Sequence, residues 1–388
     1  MKYILINLIL ITFIFPEKYK EIRIDNTSKE VIHRLQDLGV DLDHIKHKKG
    51  EFIQFAIPSP LSQILIEDGI DFEVIHEDLE DFYASRLYNI SSRDFDYGSM
   101  GGYYTHDEII EHLVDLSEDY PDIVSNLEYL GDSHEGRAIY AIKISDNPNL
   151  DEDEPQVLYT GLHHSREPMS YMNLFYYMYW LVENYNNDIE ATALVNNREM
   201  WFIPMVNPDG LVYNQEINPN GGGMQRKNHR ETCSSNDNQY EWDGIDLNRN
   251  YGYQWGFNDE GSSPDPCSQT YRGTAPFSEP ETQIIRDFVD EHNFLITLNY
   301  HSYGNLLIHP LGYIPGLLPP EPDLSIFREF GNEMTMYNNY LMGTGIETVG
   351  YTVNGEACDW MYAEKDIYAY TPEIGLWSDG FWPSSDRI

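Results

Sequence analysis

From about residue 105 onward, short apolar runs of strand length alternate with longer segments of helical period, and that alternation leaves few architectures open. Strand-like runs fall at residues 138–144, 156–160, 200–206, 294–301, 306–309 and 369–375, and helical patterns at 171–185, 279–292 and 323–341. A chain that alternates in this way covers its sheet with the helices that connect the strands. The pattern therefore predicts an α/β domain with a mixed, largely parallel sheet between two helical layers. Thr105 and Glu108 have the spacing of a capping box at the start of the first helix of this region, and Pro121 closes that helix.

The chain before residue 105 reads differently. Residues 21–24, 52–57 and 71–75 read as strands and 28–38 and 60–68 as helices; with an extended piece at 42–47 they predict a small βαββαβ unit of ferredoxin-like type over 20–84. Its histidines, His33, His44 and His47, have no ligand spacing and read as surface residues. Residues 85–102 carry glycines and no periodicity, which predicts a linker, with Arg86 and Arg93 as exposed basic sites for a trypsin-like protease. Gly221 to Gly223 and residues 231–238 read as exposed loops. At the N-terminus, Lys2 precedes an apolar run from Ile4 to Phe15 that is too short to span a bilayer, the shape of an export signal over residues 1–19. No small-residue cleavage motif follows, so an uncleaved anchor stays open as the alternative.

Charge narrows the partners. With 24 Lys plus Arg against 65 Asp plus Glu, a formal charge of −41, the surface repels phosphate backbones and anionic lipid, which argues against nucleic acid and against a membrane once a signal is removed. Three cysteines, Cys233, Cys267 and Cys358, are too few for a disulfide scaffold and lack the spacing of a thiolate zinc site; one bridge and one free thiol is the simplest arithmetic.

The chemistry is concentrated at the end of the strand 156–160, where His163-His164-Ser165-Arg166-Glu167 precedes a long apolar helix. A turn between strand and helix is where α/β enzymes keep catalytic groups. A histidine and a carboxylate three residues apart make half a zinc site, and a catalytic zinc with two His and one Glu needs a second histidine from elsewhere. His301 is the best candidate, because it ends the apolar strand that starts at Phe294; His163, His292 and His309 read as structural histidines. Between the two halves lie Asn207-Pro208-Asp209-Gly210, read as a turn, then Arg226-Lys227 and Asp246-Leu247-Asn248-Arg249-Asn250-Tyr251. Beyond His301 come Tyr351, Asp359-Trp360 and Glu373.

In this order and spacing, from about Tyr104 to the last residue, the sequence resembles the zinc carboxypeptidases of the carboxypeptidase A type, most closely their bacterial branch represented by carboxypeptidase T. The resemblance implies an eight-stranded mixed sheet between helices and one Zn2+ per chain held by His164, Glu167 and His301. It also implies Glu373 as catalytic base, Arg226 as oxyanion stabiliser, Asn248 and Arg249 as the clamp on a substrate's terminal carboxylate, Arg166 as an accessory substrate arginine and Tyr351 as the tyrosine that closes over substrate. Peptide or protein C-termini are then the substrates. Cys358 falls at the base of the pocket for the terminal side chain and Glu356 two residues earlier, which implies acceptance of hydrophobic and basic residues, with Glu356 in solvent and a purely hydrophobic preference as the alternative. The resemblance also pairs Cys233 with Cys267 and makes the unit 20–84 an inhibitory pro-segment in a secreted zymogen, released by an activating protease. It likens the acidic loop 145–154 to a calcium loop, with a merely solvated loop as the alternative. The family's C-terminal helix has no counterpart after Glu373 within 103–388, so a truncated domain is expected. A zinc deacylase of related fold and a non-catalytic peptide binder are the other readings; intact Asn248, Arg249 and Tyr351 argue against the first, and Glu373 with three ligands against the second.

Overall fold

A computed structural model describes residues 18–38, 40, 45–48, 51–88, 96–233 and 243–388. The export-signal region up to residue 17, residues 42–44 of the extended piece, Arg93 and the loop 234–242 lie outside the described residues.

The N-terminal unit runs β1 (Tyr19–Ile24), α1 (Lys29–Asp37), β2 (Lys46–Lys48), β3 (Phe52–Pro58), α2 (Ser59–Glu67), β4 (Glu73–His76) and α3 (Leu79–Arg86). Its sheet has the order β2-β3-β1-β4, with every neighbour antiparallel, as the βαββαβ pattern predicts. One face is packed: Ile22, Ile24, Ile53, Phe55 and Ile57 alternate inward and meet Leu35, Leu61 and Leu65 from the helices.

The second unit continues with α4 (His106–Asp119), β5 (Glu128–Asp132), β6 (Ala138–Ile144), β7 (Gln156–Gly161), α5 (Met169–Asn184), α6 (Ile189–Val195), β8 (Glu199–Ile203) and α7 (Pro208–Ile217). Then follow α8 (Pro280–Glu291), β9 (Phe294–Tyr300), β10 (Leu306–Ile308), α9 (Asp323–Met334), β11 (Leu341–Gly343), α10 (Gly345–Thr348), α11 (Ala357–Lys365) and β12 (Tyr368–Glu373). The eight strands form one sheet in the order β11-β10-β12-β9-β7-β8-β6-β5. Its centre, β12-β9-β7-β8, is parallel; β10 joins β12 and β6 joins β8 antiparallel, so the sheet is mixed as expected. Along each central strand the side chains alternate between two cores. Trp201 and Ile203 face Ile285, Phe288 and Met361 on one side, and Phe202 faces Phe175 and Met178 of α5 on the other. A fully buried side chain of this kind contributes about 1.5–3 kcal/mol, and α5 brings Leu174, Phe175 and Met178 to the sheet together. Among the described residues no helix is long and apolar enough to cross a membrane.

The capping box of α4 is present, Thr105 accepting from the Glu108 amide and Glu108 from the Thr105 amide. Several expectations need correction. The pattern read as one helix over 323–341 ends at Met334, and β11 follows as a short edge strand. Asn207-Pro208-Asp209-Gly210 is the N-cap and first turn of α7: Asn207 Oδ1 accepts from the Gly210 amide, and Pro208 at the first position gives up no hydrogen bond.

Gly221 to Gly223 and Arg86, both expected to be exposed, lie where α3 docks. Gly221 and Gly222 have φ of +87° and +97°, and a Cβ on Gly222 would sit 2.9 Å from the Glu80 carbonyl oxygen, so only glycine lets α3 approach this closely. Arg86 donates to the carbonyls of Asp379 (2.9 Å) and Trp382 (2.8 Å), and its guanidinium lies over Phe82. It is a docked contact rather than a free basic site.

Candidate metal centre and active site

The carboxyl ends of β7, β9 and β12 converge, and the side chains that matter follow directly from those ends. Leu162, at φ 62°, turns the chain sharply out of β7, and its amide is held by the Ser170 hydroxyl (3.0 Å). The strained turn puts His164 and Glu167 on the inner side, both fully buried. His301 follows β9 and pairs with β12, its amide donating to Pro372 O (2.9 Å) and its carbonyl accepting from Ile374 N (2.9 Å). That pairing sets buried Glu373 beside His301 on the next strand.

The ligand atoms of His164, Glu167 and His301 lie within 4.8 Å of one another. His164 Nδ1 is 2.9 Å from Glu167 Oε1, His301 Nδ1 is 2.9 Å from Glu167 Oε2, and the two Nδ1 atoms face each other at 3.1 Å. On its outer side His164 Nε2–H donates to Asp246 Oδ1 (3.0 Å), which keeps the proton on Nε2 and turns the Nδ1 lone pair into the cluster. Two imidazoles and a carboxylate converging with a carboxylate behind one of them is the donor set of a catalytic zinc, so the residues present fit the metal.

Asp246 does more than hold His164. Its Oδ2 accepts from Arg226 Nε (3.1 Å) and Nη2 (2.8 Å), and Arg249 Nη1 lies 3.9 Å away. Burial opposes its charge, but Arg226, Arg249 and His164 outweigh burial and hold the carboxyl well below the usual carboxylate range. Burial likewise opposes charge on Glu167, and His164 and His301 overcome it, so its carboxyl also sits well below its ordinary value. Burial and Arg226 depress His164, yet Glu167 and Asp246 prevail and raise it. His163, fully buried beside these two histidines, is depressed by burial and by both of them.

The remaining expected residues line up around this centre. Asn248 and Arg249 sit in a single 3-10 turn (Leu247–Arg249) whose N-cap is Asp246. Asn248 Oδ1 accepts from the Ala357 amide (3.0 Å), which ties that turn to the start of α11. Glu356, the N-cap of α11, is buried, and its Oε1 lies 2.4 Å from where a Cβ on Gly312 would stand. Cys358 is buried, and its thiol points to Ala369 O (3.3 Å). Arg166 places its guanidinium 4.1 Å over the Phe381 ring, and half-buried Tyr351 packs beside Leu306, Ile308 and Val349. Cys233 and Cys267 form a disulfide, and Cys358 is a free buried thiol. Just beyond Cys267, Ser268 O accepts from Lys227 Nζ (2.7 Å), next to Arg226, and Tyr271 O accepts from Asp246 N (2.9 Å). His309 and His292 are packed structural histidines, stacked on Phe327 and Phe294. Away from this centre the acidic loop brings oxygens of Asp146, Glu152 and Glu154 within 4.8 Å of one another.

Asp246 was not singled out by sequence reasoning. Its position two residues before Asn248 is visible in the sequence, but nothing there announces a partner 82 residues upstream.

An α/β sheet with such a cluster at the carboxyl ends of its parallel strands has the form of a metal-dependent hydrolase. Comparison with known proteins gives the family. Residues 109–388 match the peptidase M14 family, zinc carboxypeptidase. Bovine (Bos taurus) carboxypeptidase A1 is 30% identical over 369 residues, 90% of this chain and 84% of that protein. Metallocarboxypeptidase A of Trichophyton tonsurans is 31% identical over 361 residues, 88% and 82% of the two chains. Among solved structures, carboxypeptidase A from Helicoverpa armigera superposes with a TM-score of 0.77 at 26% identity, covering 96% of this chain and 93% of that one. Thrombin activatable fibrinolysis inhibitor superposes with a TM-score of 0.75 at 25% identity, covering 96% and 94%. The chain belongs to the zinc carboxypeptidase family: it is a metallocarboxypeptidase that hydrolyses C-terminal residues from peptides.

Proposed function

We propose that His164, Glu167 and His301 hold one zinc ion and that Glu373 is the general base of a broad-specificity carboxypeptidase made as a secreted zymogen. The observation that carries this is the convergence of three buried ligand side chains, with Asp246 fixing the tautomer of one of them. When bound, zinc lowers the pKa of its water toward about 7 and polarises the scissile carbonyl. Glu373, on the strand beside His301, takes a proton from the attacking water and passes it to the leaving nitrogen. Arg226, held by Asp246, supplies fixed positive charge to the developing oxyanion; losing such a donor costs about 2.7–4 kcal/mol of barrier. Arg249 grips the terminal carboxylate with a planar fork, Asn248 assists from the same turn, and Arg166 and Tyr351 contact bound substrate.

For specificity, Cys358 leaves a small, weakly polar floor and Glu356 a carboxylate for Lys or Arg. The unit 20–84 acts as pro-segment. Its support is the docking of α3, which continues from this unit to Arg86, through Tyr83 and Arg86 onto residues 379–382, the segment that carries Phe381 beneath Arg166. One structural neighbour that covers 96% of the chain is named for activation by thrombin. Calcium is the cation read for the acidic loop, where burial and the neighbouring carboxylates Asp146 and Glu152 raise the carboxyl of Glu154.

Mass spectrometry of a peptide and its C-terminal amide tests the exopeptidase assignment. Stepwise loss of single residues from the free acid with an inert amide is expected. Internal cleavage, or equal attack on the amide, would overturn the carboxylate clamp.

A further inference from the structure

The two histidines of the cluster are held in different ways. His164 has a buried carboxylate, Asp246, on its outer nitrogen, whereas among the described residues the outer nitrogen of His301 meets only the amide nitrogen of Asn248, at 3.5 Å. Asn248 Oδ1 is already engaged by the Ala357 amide, so the Asn248 –NH2 is the group that faces His301. With Nδ1 turned to a metal, His301 carries its proton on Nε2, and two N–H groups facing each other make no hydrogen bond. On that outer side packing is left to orient the ring, whose other face meets His164 edge-on with centroids 4.6 Å apart. The His163 ring lies nearly parallel to that of His301, with centroids 5.5 Å apart and an interplanar angle of 21°. His163 is itself held at two points. Its Nε2 is 2.8 Å from the Tyr251 hydroxyl, and its carbonyl accepts from Asn207 Nδ2 (3.2 Å). Tyr251 is fully buried between Phe277 and Trp360.

We propose that His163, pinned by the Tyr251 hydroxyl, is the positioning residue for His301 and sets the plane of its imidazole as Asp246 does for His164. Tyr251 also receives the backbone of the specificity segment, its amide donating to Gly355 O (2.9 Å). The residue that fixes the His301 ring is thereby built into the same wall as the pocket for the terminal side chain.

The inference rests on His301 being a zinc ligand, and the test separates the two claims. Zinc affinity by chelator competition and the visible spectrum of the Co(II)-substituted protein are measured for wild type, Tyr251→Phe, His163→Leu and His301→Ala. The expected result is zinc affinity about 10-fold or more weaker in His163→Leu, a smaller loss in Tyr251→Phe, and a shifted Co(II) spectrum in both. If His163→Leu does not fold, Tyr251→Phe, which deletes one hydroxyl, decides. Wild-type affinity and spectra in the folded variants would overturn the positioning role. Retention of zinc by His301→Ala would instead remove the ligand assignment beneath it.

Discussion

Asp246 holds one imidazole and two arginines with a single carboxylate, so replacing it disturbs His164, the proposed metal ligand, and Arg226, the proposed oxyanion arginine, together. Asp246→Asn is expected to weaken zinc binding by about 10- to 100-fold, the usual cost of losing a partner behind a metal-bound histidine, and to lower kcat further because Arg226 loses its anchor. Zinc titration and steady-state kinetics check the two effects separately. In the proposed specificity pocket, Gly312 leaves the space that the Glu356 carboxylate fills. Gly312→Ala should displace Glu356 and, like Glu356→Gln, lower kcat/KM for Arg-ending peptides while Phe-ending peptides change little. An unchanged Arg rate in both variants would show that Glu356 does not read the side chain. The residues proposed to touch metal or substrate stand out in the sequence because their spacing and order carry a pattern, and the structure brings His164, Glu167 and His301 together. Asp246 and His163 act through other side chains, and such roles depend on contacts made only after β7, β9 and the 247–249 turn come together.

At the scale of elements, the loop closed by Cys233 and Cys267 carries Asp246, Asn248 and Arg249, and Ser268 just beyond it receives Lys227. Its sequence separation of 34 residues corresponds in the chain-entropy model to about 4 kcal/mol. Cys233→Ser with Cys267→Ser should therefore lower stability in denaturant titration by that order and reduce activity as well. A loss below about 1 kcal/mol would show that the loop is fixed by its other contacts. The central strands were readable because apolar runs buried on both faces have no other solution; β5 and β11 were not, being short strands at the sheet edges. The first turn of α7 passed for a loop because Asn, Pro, Asp and Gly serve turns and helix starts equally. The pattern of α9 continued past its last turn because apolar Met336, Tyr337 and Leu341 lie exposed beyond it.

For the whole molecule, acidity has a titratable component in the fold. Glu281 is fully buried at the start of α8, with Oε1 accepting from the His134 amide (2.9 Å); burial, with Glu279 and Asp209 nearby, pushes its carboxyl up to about 7. A raised carboxyl gives stability that is complete below its unfolded value near 4.5 and is lost as pH rises through about 7. Wild type should lose about 3 kcal/mol relative to Glu281→Gln across that window, seen as melting curves that diverge between pH 4.5 and 7; parallel curves would contradict the shift. The proposed zymogen is a property of both units together, since α3 reaches across to residues 379–382. Limited proteolysis between the units should raise activity, and full activity of the uncut chain would remove the pro-segment reading. Millimolar calcium should raise the melting temperature if the acidic loop binds it. The central claim, that His164, Glu167 and His301 form a zinc centre that hydrolyses C-terminal residues, is tested most directly by metal content measured alongside turnover. Chelated protein should be inactive and regain full activity at one equivalent of zinc, while His301→Ala should neither retain that zinc nor recover. Turnover that survives chelation, or a His301→Ala protein that still binds one zinc and works, would contradict it.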